Sequence, residues 1–166
     1  RGDTSTITNA AGAQWTVALD ANKIIAYGSE PYTTVHFVNE GTLTKSSAGT
    51  NTLGGNPGNL HLTNSGVLDV YTGTLQLVRG TVPLGSPGTV RLTTDGSITP
   101  MVQSGELTIA GSLEVILAEG YTPANGTTIR LIDYGSKTGT FGTITPPQGR
   151  TLTESYESDG CDVTID

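Results

Sequence analysis

The side chains of this 166-residue chain that could do chemistry are few: two histidines, one cysteine and a scatter of carboxylates. His36 and His61 sit in comparable places, each just ahead of an Asn-x-Gly turn, so stacking would bring two imidazoles within reach of one metal ion. The plainer reading is two exposed strand residues. No Gly-x-Ser-x-Gly elbow is present, and nothing places a serine or Cys161 beside a histidine with an orienting acid, which argues against nucleophilic hydrolysis. Asp69, Asp95, Glu106 and Glu114, with Arg79 and Arg91 near them in sequence, could line a polysaccharide-cleaving face, although outward charges also make an ordinary solvated surface. A non-enzymatic chain is the expectation. Glu157, Asp159 and Asp162, with Glu154 and Asp166, could attract Ca²⁺ but lack the Asp-x-Asp-x-Asp-Gly spacing of a dedicated loop, and no other cofactor is expected. Tyr27, Tyr32, Tyr71 and Tyr121 fall at turns or strand ends, where aromatic rings beside amides and carboxylates can stack on sugars. Trp15 is expected to pack inside a cap.

Composition sets the frame that must hold these groups. Charged residues are 14%, against roughly a quarter in an ordinary globular protein, and glycine supplies 23 residues. No stretch keeps apolar residues at i, i+3, i+4 and i+7, so the chain reads as all-β. A net charge of −7 without clustered lysine or arginine offers no footprint for phosphate backbones or anionic lipid, so nucleic acid is not expected as a partner. No apolar run is long enough to insert into a membrane. Cys161, being alone, excludes an internal disulfide; it could cross-link two copies. The chain opens at Arg1, which reads as a mature or excised piece of a larger polypeptide. Arg1-Gly2-Asp3 spells an integrin-type tripeptide, weak evidence at a terminus.

A short unit recurs through this frame: a small or polar residue, glycine, any residue, then an aliphatic. It stands as Glu40-Gly41-Thr42-Leu43, Ser65-Gly66-Val67-Leu68, Thr72-Gly73-Thr74-Leu75, Pro87-Gly88-Thr89-Val90, Ser104-Gly105-Glu106-Leu107 and Ala110-Gly111-Ser112-Leu113. Each copy reads as a turn feeding a strand that alternates apolar-in and polar-out. The longest echo joins Phe37-Val38-Asn39-Glu40-Gly41 to Leu62-Thr63-Asn64-Ser65-Gly66, which spacing places one rung apart. Alternation puts Asn39 and Leu43 on one face and Asn64 and Leu68 on the same face of the next rung. The expected result is an asparagine ladder flanked by leucine ladders, stacked amides satisfying one another; a simple Asn-x-Gly turn is the plainer alternative.

These features predict a right-handed parallel β-helix, a β-solenoid of about seven coils and about 34 Å at the strand spacing. An antiparallel β-sandwich is the competing fold. The whole of 1–166 reads as one domain, with 1–35 as a candidate N-terminal cap and 120–166 as C-terminal rungs or cap. Open edges invite end-to-end self-association.

The repeats around Asn39-Glu40-Gly41-Thr42-Leu43-Thr44-Lys45, Asn64-Ser65-Gly66-Val67-Leu68-Asp69-Val70 and Thr72-Gly73-Thr74-Leu75-Gln76-Leu77 resemble those of bacterial surface adhesins of the autotransporter-passenger and haemagglutinin-like kinds. The closing stretch, with Gly120-Tyr121-Thr122-Pro123 and Ile129-Arg130-Leu131-Ile132, is similar to the unit that often ends such segments. The resemblance implies an extracellular or bacterial cell-surface location and a structural or adhesive role, with a glycan or a neighbouring cell surface as partner. It carries no catalytic residues to transfer. A carbohydrate-binding module of a secreted enzyme is the alternative function.

Overall fold

Alternation of apolar and polar residues over four to six positions makes strands here, and glycine-bearing turns end them. The computed structural model describes residues 4–19, 23–25, 34–54, 59–77, 82–84 and 88–166. Tyr27, Tyr32, Arg79 and the Arg1-Gly2-Asp3 tripeptide lie outside the described residues. Three strands form each early tier. The first is β1 (Thr4–Asn9), β2 (Gln14–Val17) and β3 (Lys23–Ile25); the second is β4 (Thr34–Asn39), β5 (Thr42–Lys45) and β6 (Thr50–Leu53); the third is β7 (Asn59–Asn64), β8 (Val67–Val70) and β9 (Thr74–Leu77). Then follow β10 (Val82–Leu84), β11 (Thr89–Thr94), β12 (Met101–Ile109), β13 (Ser112–Leu117), β14 (Thr127–Gly139), β15 (Thr143–Thr145), β16 (Leu152–Tyr156) and β17 (Gly160–Ile165).

Pairing runs between tiers. One six-stranded sheet is ordered β2-β5-β8-β11-β13-β15 and is parallel throughout. The other sheet stacks β1-β4-β7-β10 and, separately, β3-β6-β9, and both rows meet on β12. Met101, Val102 and Gln103 of β12 pair with β9, and Leu107, Thr108 and Ile109 pair with β10, so one long strand serves two rows. The register of β4 on β7 sets Asn39 against Asn64, 25 residues apart. Other offsets range from Asn64 against Leu84 to Met101 against Ile132, and the variation falls in the connections. Six strands deep in the all-parallel sheet, the stack is shorter than the expected seven coils, about 29 Å when counted in the same way at the strand spacing. The difference arises because the tail turns back instead of continuing. Among the described residues antiparallel pairing is confined to β17, which runs against β14 and β16. The parallel tiers are not the antiparallel pairing that a sandwich requires. The segment expected as an N-terminal cap contains tier strands, β1 to β3, paired in parallel with β4 to β6.

Inward positions make columns. Leu43, Leu68, Val90 and Leu113 lie in register and are all buried, as are Val70, Leu92 and Val115 beside them. Stacking identical or similar side chains at the strand spacing gives each a neighbour above and below, and burying a leucine in this way stabilises by about 1.5–3 kcal/mol. At the corner between the two sheets a backbone seam replaces the side-chain column. Gly41 O accepts from Val67 N, Gly66 O from Thr89 N, Gly88 O from Ser112 N and Gly111 O from Gly142 N, at 2.8 to 3.0 Å. A Cβ on Gly66 would strike the carbonyl oxygens of Gly41 and Glu40, which is why glycine recurs there.

Candidate functional site

Inside the corner the expected asparagine ladder is present and has a third member. Asn9 Nδ2 donates to Asn39 Oδ1 at 2.7 Å, and Asn39 Nδ2 donates to Asn64 Oδ1 at 2.6 Å. The second amide hydrogen of each upper asparagine goes to a backbone carbonyl of the next strand, Asn9 to Thr42 O and Asn39 to Val67 O, both at 2.9 Å. Asn64, with Leu84 opposite it, ends the run by donating to Gly66 O and Thr89 O at 3.3 Å. All three side chains are buried. The ladder is directional, because each asparagine-to-asparagine bond is donated from one tier to the next in chain order.

A second polar device lies further along β5. Lys45 occupies an inward position between Val17 and Val70 and is 1% exposed. Its ammonium donates to Ser47 O and to Thr72 O, and the Ser47 hydroxyl donates to Asn51 Oδ1 at 2.7 Å. Burial holds the Lys45 amine below its ordinary pKa.

Outward groups form the surface available to a ligand. On the all-parallel sheet, Thr44, Asp69, Arg91 and Glu114 lie in one register column. Arg91 Nε donates to Glu114 Oε2 at 2.8 Å, whereas its nearest approach to Asp69 Oδ2 is 3.9 Å. Asp69 Oδ1 is buried and has no hydrogen-bond partner among the described residues. Burial raises the Asp69 pKa, Arg91 opposes the rise and Glu114 adds to it. Two hollows share Tyr71, Thr93 and Ala118; Asp95 and Ile98 line one of them and Glu119 lines the other. Tyr71 is 63% exposed there, and the Thr93 hydroxyl is buried without a hydrogen-bond partner among the described residues.

The other candidates are dispersed. Tyr121 is partly buried against the core, and its hydroxyl closes over Gly96, where φ is +75°. Trp15 is 44% exposed and meets Phe37 edge-on at 5.3 Å, so it is not packed inside a cap. His36 and His61 are register partners, with rings stacked at 5.3 Å, on the half-exposed outer face. In the tail, Asp159 and Asp162 turn onto Arg130 together with Asp133. Burial would lower the Arg130 pKa, but its bonds to Asp162 and Asp133 outweigh that and raise it. The cation that gathers these acids is therefore a side chain. Glu157 is exposed, its N–H donating to Gly160 O in the turn. Among the described residues no three His, Cys, Asp or Glu side chains are grouped to share a metal ion. Cys161 lies in the core, its thiol pushed up to about 12 chiefly by burial, so it is not on the surface that a cross-link between copies needs.

Sequence reasoning missed Lys45 and Asn9. The alternation through Leu43 pointed Lys45 inward, and Asn9 precedes a longer turn whose glycine, Gly12, stands three residues on. No helix among the described residues is long and apolar enough to cross a membrane. Compared with protein-family models, curated proteins and solved structures, the chain matches none.

Proposed function

We propose that the chain is a right-handed parallel β-solenoid segment of a larger exported bacterial surface protein, acting as a non-enzymatic supporting or adhesive module. The observation that carries this reading is the in-register stacking of like on like, seen in the asparagine ladder and the leucine column. Strands paired in parallel with the strand three elements on, as β1, β2 and β3 are with β4, β5 and β6, need connections that travel around a coil. Crossovers between parallel strands are right-handed in nearly all proteins, which supports the handedness. Repeating tiers add length without adding chemistry, which suits a spacer. The resemblance to adhesin repeats supports surface location.

One specific observation favours a second role on the same scaffold. The exposed ring of Tyr71, with Thr93, Asp95 and Glu119 around it, has the makings of a sugar-binding platform. A glycan array with the intact chain and its Tyr71→Ala variant separates the two. Saturable binding lost in the variant establishes the lectin role; silence across the array, with the fold intact, leaves support as the function.

A further inference from the structure

The two ends of the stack are unlike. At the C-terminal end β16 and β17 fold back antiparallel across β14, so the parallel repeat stops there. At the N-terminal end no such reversal stands among the described residues. Among the described residues β1, β2 and β3 each have one strand partner, leaving the other edge of each without a ladder. Ile7 stands in the column of Phe37 and Leu62 and is 38% exposed where they are 7% and 0%. Trp15 stands in the column of Leu43 and Leu68 and is 44% exposed where they are 2% and 0%. Both stand in core columns and, among the described residues, have no strand on their outer side.

The ladder says what kind of surface belongs above. Asn39 and Asn64 each receive an amide hydrogen from the asparagine one tier up, but Asn9 Oδ1 receives none among the described residues. Asn9 has already committed both of its own amide hydrogens to Asn39 Oδ1 and Thr42 O. It can only accept. A second copy docked head to head would set one Asn9 Oδ1 against another, with no hydrogen between them, and would pair β1 antiparallel with itself. A parallel tier, with one strand carrying a side-chain amide over Asn9 and an apolar residue over Ile7 and the next carrying an apolar residue over Trp15, satisfies all three positions at once.

We propose that this end is an interaction surface for one further parallel tier of the same design, bearing an amide donor in register with Asn9 and apolar side chains in register with Ile7 and Trp15. The proposal rests on the solenoid reading above. Trp15 is the sole tryptophan, so its fluorescence reports on this surface alone. The experiment fuses a copy of residues 34–58 ahead of Arg1, which brings the copy of Asn39 28 positions before Asn9, within the observed range of offsets. Trp15 emission should move to shorter wavelength, its quenching by acrylamide should fall several-fold, and amides of the added segment should resist hydrogen exchange. Changing the copied asparagine to leucine should abolish most of that protection. Unchanged Trp15 emission with freely exchanging added amides, while amides in 34–77 stay protected, would overturn the proposal and leave the solenoid reading standing. Loss of protection in 34–77 themselves would sink both. A blue shift of Trp15 in the unextended chain that grows with protein concentration would show that a second copy covers the surface, and would overturn the proposal as well.

Discussion

Replacing Asn39 by alanine removes the central rung of the ladder, and the structure gives the size of the effect. The substitution deletes the donor to Asn64 Oδ1 and to Val67 O, both in the buried corner, whereas Asn9 Nδ2 keeps its bond to Thr42 O. Each buried acceptor left without a donor costs about 1–3 kcal/mol, so the two together cost about 2–6 kcal/mol. At about 2–4 °C per kcal/mol for a chain of this length, a mid-range loss of about 4 kcal/mol lowers Tm by about 8–16 °C. Asn64→Ala should cost about half as much, because its own donations are long, at 3.3 Å, and Asn39 Nδ2 retains Val67 O. The double variant should lose less than the sum of the singles, since the shared 2.6 Å bond is removed only once. Urea unfolding followed by circular dichroism, with slopes compared to confirm one transition, measures all three. A loss below about 1 kcal/mol for Asn39→Ala, or equal losses at the two positions, would show that the ladder is decoration on a turn held by other means.

Two further outcomes concern pH. The Asp69 carboxyl has a raised pKa in the folded chain, so the folded state favours the protonated form, and its contribution to stability falls as pH climbs from 3.8 through the raised value. Asp69→Asn should therefore be more stable than the parent at neutral pH and should lack that part of the acid-side slope; identical pH profiles in thermal melts would contradict it. The Lys45 amine is the mirror case: with its folded pKa lowered, the neutral form is favoured, and stability rises with pH between the lowered value and 10.5. Lys45→Met should flatten that alkaline rise, measured by urea titration between neutral and alkaline pH, and an unchanged rise would place the cost of burial elsewhere.

Much of the tier geometry was legible because the same turn chemistry recurs at the same spacing. The echo between Asn39 and Asn64 matches their register partnership, and the alternation through Leu43 and Leu68 gives the buried column. What the sequence hid was non-local. Whether a strand pairs parallel or antiparallel is not written in its own alternation, so 120–166 read as rungs or cap without showing that β17 reverses against β14. Asp159 and Asp162 looked like a cation-binding tail because the Arg130 that meets them lies about thirty residues earlier. Tyr71 and Tyr121 were indistinguishable as turn tyrosines; only packing shows that one faces solvent while the other seals Gly96.

The glycine seam constrains how such a molecule can change over generations. Its turns are two residues long at 40–41, 65–66 and 110–111, and each is hydrogen-bonded to the backbone of the neighbouring tier. An inserted residue there would displace every tier stacked on it. By contrast, Gly120 and Gly126, between β13 and β14, have open space around them. Growth and loss of sequence should therefore accumulate on that side, leaving the seam as a fixed crease along which tiers can be duplicated, shuffled or grafted without resetting the register of their neighbours.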